Sequence, residues 1–218
     1  NTFSAHDQSN RASPDDAWPW LKFEMTGGND YSYTLTNHRG RLVLNWGTNL
    51  QLRLKSRPEA DARFEVNDPT GAWFSTDLYQ VGTNAGVQLA AMRDAVTGAV
   101  WGAPSPGVIA RCLAIGSTPF VQLYLHAKGS GETGFGTNLY TSGLLSFVPG
   151  ATVALFVNTN QAILRYNGST RWSGTHGLNL GSGAKGAACV VEADNLSGGS
   201  TPRTFVELDL VKAWRTNA

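Results

Sequence analysis

The chain has 218 residues, of which 41% are hydrophobic, and this is enough apolar material to bury the core of one domain. Its 17 basic and 16 acidic residues leave a net charge of +1, a field too weak to hold a phosphate backbone, so we expect no nucleic-acid partner. No apolar run approaches the roughly 18 residues that a membrane-spanning helix needs, and we expect no membrane insertion.

Residues 1–16 differ in composition from the rest of the chain. They contain one large apolar residue, Phe3, among polar residues and a proline. A segment with so little apolar surface gains little by packing, and we interpret it as a flexible polar arm or linker. The predicted folded domain is a single β-sandwich over 17–218.

Apolar and polar residues alternate over 21–25, 31–36 and 50–57. Because the side chains of a strand point alternately to its two faces, this period predicts β-strands. One segment has an alternative: the Ala, Leu, Met and Arg residues of 87–96 also favour a short helix.

The strongest local signal is a hairpin in the second half of the chain. Two runs rich in β-branched and aromatic residues, 152–157 and 162–166, are joined by a short polar loop. Pro149-Gly150 precedes the first run and Asn167-Gly168 follows the second, and both pairs are typical of tight turns.

Roughly ten to thirteen strands separated by turns can be counted, without the alternation of strands and helices that α/β proteins show. This order predicts an all-β fold, a two-sheet antiparallel β-sandwich of the jelly-roll type. Cys112 and Cys189 stand in runs of small apolar residues, so both are predicted to be buried strand residues that pair only if their strands are neighbours. Neither has a second ligand at zinc spacing.

Two glycine-rich loops, 129–134 and 181–186, match the spacing of the dinucleotide-binding fingerprint. The fingerprint works because a helix N-terminus follows it and receives the phosphates, and neither loop leads into a helical pattern. We therefore interpret both as surface loops and predict no cofactor. Glu192, Asp194 and Asn195 could offer oxygen ligands to calcium, but solvated turn residues are the alternative, and we predict no metal site.

Glu207-Leu208-Asp209-Leu210 resembles the carboxylate strand of the laminarinase-like glycoside hydrolases, a β-sandwich family. The resemblance implies two carboxylates on one face of a strand, near the separation that a retaining mechanism needs. The third carboxylate of the family pattern is missing, with Lys212 close to its place. The alternative is that both carboxylates line the solvent face of the last strand. Since no other catalytic pattern is present, we predict no catalytic residues and no enzymatic activity.

One predicted strand has a face suited to ligand recognition. In 120–127 the face opposite the apolar residues carries an aromatic and polar mixture that can stack on a sugar ring and bond its hydroxyls. These residues are Phe120, Gln122, Tyr124 and His126. The alternative is that both faces of this strand are buried in the sandwich.

Two further groups favour recognition. Trp73, Trp101 and Trp172 adjoin predicted turns, where aromatic residues either anchor glycans and partner proteins or close the ends of the core. Five basic residues fall on or beside neighbouring strands, and one basic patch there would suit sialic acid or sulfated glycans, although a solvated sheet face is the alternative. They are Arg39, Arg41, Arg53, Lys55 and Arg57, of which Arg53 and Lys55 are the candidate ligand residues.

The sequence thus predicts a non-enzymatic domain that binds a glycan or a cell-surface receptor, displayed as the projecting spike of a viral capsid or as a phage tail fibre. Such a domain would act at a virion surface or outside the cell, and as a homo-oligomer. The alternatives are a secreted lectin or carbohydrate-binding module, a polysaccharide-degrading β-sandwich enzyme, and a structural capsid subunit.

Overall fold

The computed structural model describes residues 22–26, 30–36, 39–46, 51–55, 71–82, 85–93, 105–115, 119–180, 186–193 and 204–215. Every regular element in these ranges is a β-strand. Residues 87–92 belong to one of these strands, so the alternative of a short helix over 87–96 is wrong for that part. Within the described ranges no helix is long and apolar enough to cross a membrane.

The described strands form two antiparallel sheets. The eight-stranded sheet contains β1 (Lys22–Thr26), β4 (Gln51–Lys55), β6 (Ala85–Met92), β7 (Gly107–Ala114), β8 (Phe120–Lys128), β9 (Thr137–Thr141), β10 (Leu145–Ser146) and β14 (Gly186–Ala193). Its order is β1-β4-β14-β6-β7-β8-β10, and β9 also pairs with β8.

The seven-stranded sheet contains β2 (Asp30–Thr36), β3 (Arg39–Trp46), β5 (Ala72–Val81), β11 (Ala151–Val157), β12 (Gln161–Tyr166), β13 (Ser169–Thr175) and β15 (Thr204–Arg215). Its order is β13-β12-β11-β5-β15-β3-β2. Strands far apart in the chain are therefore neighbours in both sheets.

The core lies between the two sheets and takes every second residue from their central strands. Both sheets supply it, with Val87, Leu89, Val108, Ala110, Val121, Leu123 and Leu125 from one and Phe74, Leu78, Val153, Leu155, Val157, Leu164, Val206 and Leu208 from the other. All of these side chains are buried. The predicted all-β, two-sheet antiparallel sandwich is confirmed.

The predicted hairpin is also confirmed, as β11 and β12. Gly150 has a φ of 81°, and the amide of Ala151 bonds the carbonyl of Val148 at 2.9 Å, so Pro149-Gly150 forms the turn that leads into β11. Asn167 and Gly168 have φ values of 49° and 77°, as the two central residues of a type I′ turn require.

The two cysteines stand on strands that are not neighbours. β6 lies between β7 and β14, with Val87 paired to Cys112 and Leu89 paired to Cys189. Cys112 is a buried free thiol. A disulfide between Cys112 and Cys189 was expected only if their strands were neighbours, and this condition is not met.

The expectation that the predicted basic residues fall on or beside neighbouring strands is wrong, because β3 and β4 stand in different sheets. Arg39 and Arg41 lie on β3 of the seven-stranded sheet, whereas Arg53 and Lys55 lie on β4 of the eight-stranded sheet. Arg57 lies outside the described residues. Closeness in sequence misleads here because the chain changes sheet between β3 and β4.

Candidate functional site

The face of the eight-stranded sheet that points away from the core carries polar residues on β7 and β8, towards one edge of the sheet. On β8 the residues Val121, Leu123 and Leu125 fill the core, so the intervening residues lie on this outer face. Arg111 of β7 is the register partner of Tyr124 and alternates with core residues in the same way. We name Arg111, Gln122, Tyr124 and His126 the polar cluster.

A chain of hydrogen bonds orients Tyr124. Its hydroxyl donates to Oε1 of Gln122 at 2.6 Å, and Nε2 of Gln122 donates to the carbonyl of Ser142 at 2.8 Å. Because a carbonyl can only accept, the second bond fixes which end of the Gln122 amide faces Tyr124. The lone pairs of the Tyr124 oxygen are therefore turned away from Gln122.

His126 is buried and lacks hydrogen bonds. It is 8% exposed, and neither ring nitrogen has a hydrogen-bond partner in the described structure. Burial, with a further contribution from the nearby charge of Arg111, lowers the pKa of His126 to about 4. At neutral pH the imidazole is uncharged, with one nitrogen able to accept a proton and the other able to donate.

Aromatic rings surround the polar cluster. The ring of Tyr124 stacks beside that of His126 with a centroid separation of 6.2 Å, and the ring of Phe135 lies 5.4 Å from His126. The guanidinium carbon of Arg111 is 4.1 Å from the Phe135 centroid and 5.6 Å from that of Tyr124. The partly buried guanidinium of Arg111 is thus placed between the rings of Tyr124 and Phe135, next to the neutral imidazole of His126.

β9 extends this face with two polar residues. Asn138 is the register partner of His126, and Thr141 is the register partner of Tyr124. Both side chains are exposed, and Nδ2 of Asn138 donates to the hydroxyl of Thr141 at 2.7 Å. An amide and a hydroxyl at this position suit the hydroxyl groups of a sugar.

Sequence reasoning found three members of the polar cluster and missed Arg111 and Phe135. The available signal for Arg111 was a single charge in the otherwise apolar run 108–115, and the signal for Phe135 was one aromatic residue in a glycine-rich loop. Phe120, which was predicted, begins β8 on the same face and is half-buried.

Arg53 and Lys55 stand in the same register rows as the polar cluster. The row of Arg53 runs through Val190, Gln88 and Arg111 to Tyr124, and the row of Lys55 runs to His126. The four strand spacings between β4 and β8 correspond to about 19 Å. The two groups predicted from sequence therefore stand at opposite ends of one sheet.

The two predicted tryptophans that the structure describes, Trp73 and Trp172, do not join this site. Trp73 lies on the seven-stranded sheet, where its ring is 5.3 Å from that of Phe156 and the guanidinium carbon of Arg165 is 4.5 Å from its centroid. Trp172 is half-buried and packs against the core. Trp101 lies outside the described residues.

The carboxylate segment at the C-terminus also lies elsewhere. Glu207 stands on β15, between the core residues Val206 and Leu208, and pairs with Gln80 of the seven-stranded sheet. It therefore belongs to the other sheet from the polar cluster. In the described part of the chain, no group of three or more His, Cys, Asp or Glu residues could hold a metal ion.

Comparison of the whole chain with known proteins gave matches only at the level of structure. No family model and no curated protein matches the sequence. The κ-carrageenase of Pseudoalteromonas carrageenovora matches with a TM-score of 0.56 and 10% identity over 98% of this chain and 94% of that chain. An alginate lyase of Pseudomonas aeruginosa matches with a TM-score of 0.57 and 11% identity, over 86% and 87% respectively.

The exoplasmic/lumenal domain of VIP36, solved with Ca²⁺ and Man₃GlcNAc, matches with a TM-score of 0.60 and 13% identity over 90% of this chain and 84% of that chain. At such identities these likenesses show the fold that the chain shares. They also correct one prediction: the expectation of a non-enzymatic domain is wrong, because most of the similar structures, including the carrageenase and the alginate lyase, are enzymes. That expectation rested on the lack of a catalytic motif along the sequence.

Proposed function

We propose that the chain binds an acidic polysaccharide across the outer face of the eight-stranded sheet and cleaves it by β-elimination. The observation that carries this proposal is the buried, neutral His126 without a hydrogen-bond partner in the described structure, beside the hydroxyl of Tyr124 and the charge of Arg111. A buried polar group without a partner costs free energy, and a ligand that supplies the partner recovers it.

The reaction needs three functions, and the polar cluster offers each of them. A base removes the proton from the carbon next to a uronate carboxylate, the electrons form a carbon–carbon double bond, and the bond to the glycosidic oxygen breaks as that oxygen takes a proton. Neutral His126 serves as the base. The hydroxyl of Tyr124 serves as the acid, by turning from Oε1 of Gln122, to which it donates in the free protein, and giving its proton to the glycosidic oxygen. The guanidinium of Arg111 and the amide of Gln122 stabilise the negative charge that builds on the carboxylate.

Hydrolysis fits the described residues less well than elimination. Glycoside hydrolases of the usual kind need two carboxyl groups that flank the bond to be cleaved. Among the described side chains of the polar cluster and of its β9 neighbours, none is a carboxylate. Glu132, in the adjoining loop, accepts the amide of Gly129 at 2.7 Å.

The test is to incubate the chain with alginate, κ-carrageenan and a neutral β-glucan, and to measure two products. β-Elimination gives both a new reducing end and the ultraviolet absorbance of an unsaturated uronate, whereas hydrolysis gives only the reducing end. We expect both signals on a uronate polymer such as alginate. Reducing ends without absorbance would contradict elimination, and the absence of both with every acidic polymer would contradict cleavage.

Tyr124→Phe supplies the matched variant, because it keeps the ring beside His126 and removes only the hydroxyl. We expect cleavage to fall by about 100-fold, as for the loss of one general acid, with polysaccharide binding retained. An unchanged rate would exclude Tyr124 as the acid.

The proposed substrate also bears on where the chain works. Long acidic polysaccharides occur outside cells, and we propose an extracellular location. Display on a virion, as a spike or a tail fibre that grips or clears such a polymer, is a narrower form of the same proposal and needs several copies to act together. Light scattering on the purified chain tests that form, since a monomer would exclude it.

A further inference from the structure

The loop that follows β8 is open in its middle and tightly packed at its end. In this loop, 129–136, the glycines Gly131, Gly134 and Gly136 have φ values of 74°, 73° and 77°. A Cβ atom on Gly131 or Gly134 would have nothing within 4 Å, whereas a Cβ atom on Gly136 would lie 2.5 Å from the carbonyl oxygen of Ala127. The middle of the loop therefore has free space around its glycines, whereas the end of the loop is closely packed against β8.

A buried ammonium group holds this loop in place. Lys128, the last residue of β8, is fully buried, and its Nζ donates to the carbonyl oxygen of Glu132 and, at 3.0 Å, to that of Gly134. Hydrogen bonds from a charged donor are stronger than neutral ones. They fasten the middle of the loop, where other packing is sparse, to the end of the strand that carries His126.

Phe135 stands next in the loop and covers the polar cluster. Its ring contacts both the imidazole of His126 and the guanidinium of Arg111. A sugar that bonds a ring nitrogen of His126 has to reach an imidazole that is only 8% exposed, and the ring of Phe135 packs 5.4 Å from that imidazole.

We propose that residues 129–136 are a lid over His126, that Phe135 is the part of the lid that covers the imidazole, and that Lys128 is the positioning residue that holds the lid closed. The purpose of the lid, which is to control access of a polysaccharide to His126, rests on the proposed function. The closed lid itself is a property of the free protein and can be tested without any polysaccharide.

The experiment measures how fast diethyl pyrocarbonate modifies each histidine at neutral pH, with peptide mass spectrometry to separate the sites. His176 is the internal control: it is buried, its Nε2 bonds the carbonyl of Asn158 at 3.0 Å, and it lies outside the lid. Lys128→Met keeps the length and apolar stem of the side chain and removes the ammonium. Phe135→Ala removes the cover and leaves the ammonium in place.

We expect both variants to raise the modification rate of His126 by roughly tenfold to hundredfold, with the rate of His176 unchanged. For Lys128→Met this is what the loss of hydrogen bonds to a charged group allows, and for Phe135→Ala it follows from the loss of the ring that packs on the imidazole. If Lys128→Met raises the modification rates of both histidines equally, Lys128 supports the whole fold, and its proposed role in holding the lid closed is overturned. If Phe135→Ala leaves His126 as slow as before, the lid is overturned. Neither result depends on whether the chain cleaves a polysaccharide.

Discussion

The two outer faces of the sandwich differ in how their polar groups are satisfied. On the seven-stranded sheet Arg165 lies over Trp73 and its Nε donates to the hydroxyl of Thr170 at 3.3 Å, while the hydroxyl of Thr152 donates to Asp77 at 2.5 Å. On the eight-stranded sheet the imidazole of His126 is buried and, in the described structure, unpartnered. Arg171 Nε on β13 of the seven-stranded sheet is also buried without a hydrogen-bond partner among the described residues, but only in His126 do all the polar atoms of the side chain lack one.

The comparison shows why aromatic content alone is a poor guide to a binding face. Both faces carry rings and a stacked arginine, Arg165 on Trp73 in one case and Arg111 on Phe135 in the other. What separates them is the buried imidazole, since both of its ring nitrogens lack a hydrogen-bond partner among the described residues and such groups are rare in a folded protein.

Substitution of His126 should abolish most of the activity. With His126→Asn we expect the cleavage of an acidic polysaccharide to fall by about 100- to 10,000-fold, because a general base is removed. Arg165→Ala on the opposite face is the control and should cleave at the rate of the unmodified chain. Equal losses in both variants would contradict the assignment of the site to one face.

The stability of the fold should depend on pH through His126. Its folded pKa is about 4 and its unfolded pKa is 6.5, so between these values the unfolded chain binds a proton that the folded chain excludes. The free energy of unfolding is therefore at its full value above pH 6.5 and falls as the pH drops towards 4, by up to about 3 kcal/mol.

Urea denaturation at pH 7 and pH 4.5 measures this loss, and His126→Asn is the reference because its other titrating groups are the same. Burial also lowers the pKa of His176, so the variant keeps a smaller loss of the same sign. If the variant loses as much stability as the unmodified chain, His126 is not buried in its neutral form.

The smallest effect is expected on the face of the seven-stranded sheet. Arg165→Ala removes the guanidinium from Trp73 and should lower the free energy of unfolding by about 0.5–1 kcal/mol, the usual contribution of an exposed cation–π pair. Affinity for the polysaccharide, measured by calorimetry, should not change. A tenfold weaker affinity would mean that this face also binds the ligand.

Much of the fold could be predicted from local patterns. Alternation along 120–127 assigned Val121 and Tyr124 to opposite faces, and the turn pairs Pro149-Gly150 and Asn167-Gly168 marked the ends of the hairpin. These features depend on residues that are close in sequence, so the sequence carries them directly.

The pairing of distant strands could not be predicted in this way. β15 lies between β3 and β5, and β14 lies between β4 and β6, although long stretches of chain separate them. Alternation shows that a strand has a buried face and does not show which sheet it joins. The basic residues of β3 and β4 were assigned to neighbouring strands for this reason, and Arg111 was overlooked because its place beside Tyr124 exists only after β7 and β8 pair.

The most direct test of the central claim follows the histidine rings by nuclear magnetic resonance during a titration with acidic oligosaccharides. We expect the ring resonances of His126 to shift as the sugar binds and supplies a hydrogen-bond partner, while the ring resonances of His176 do not shift. Saturable binding that leaves His126 unchanged would contradict the assignment of the site to the outer face of the eight-stranded sheet.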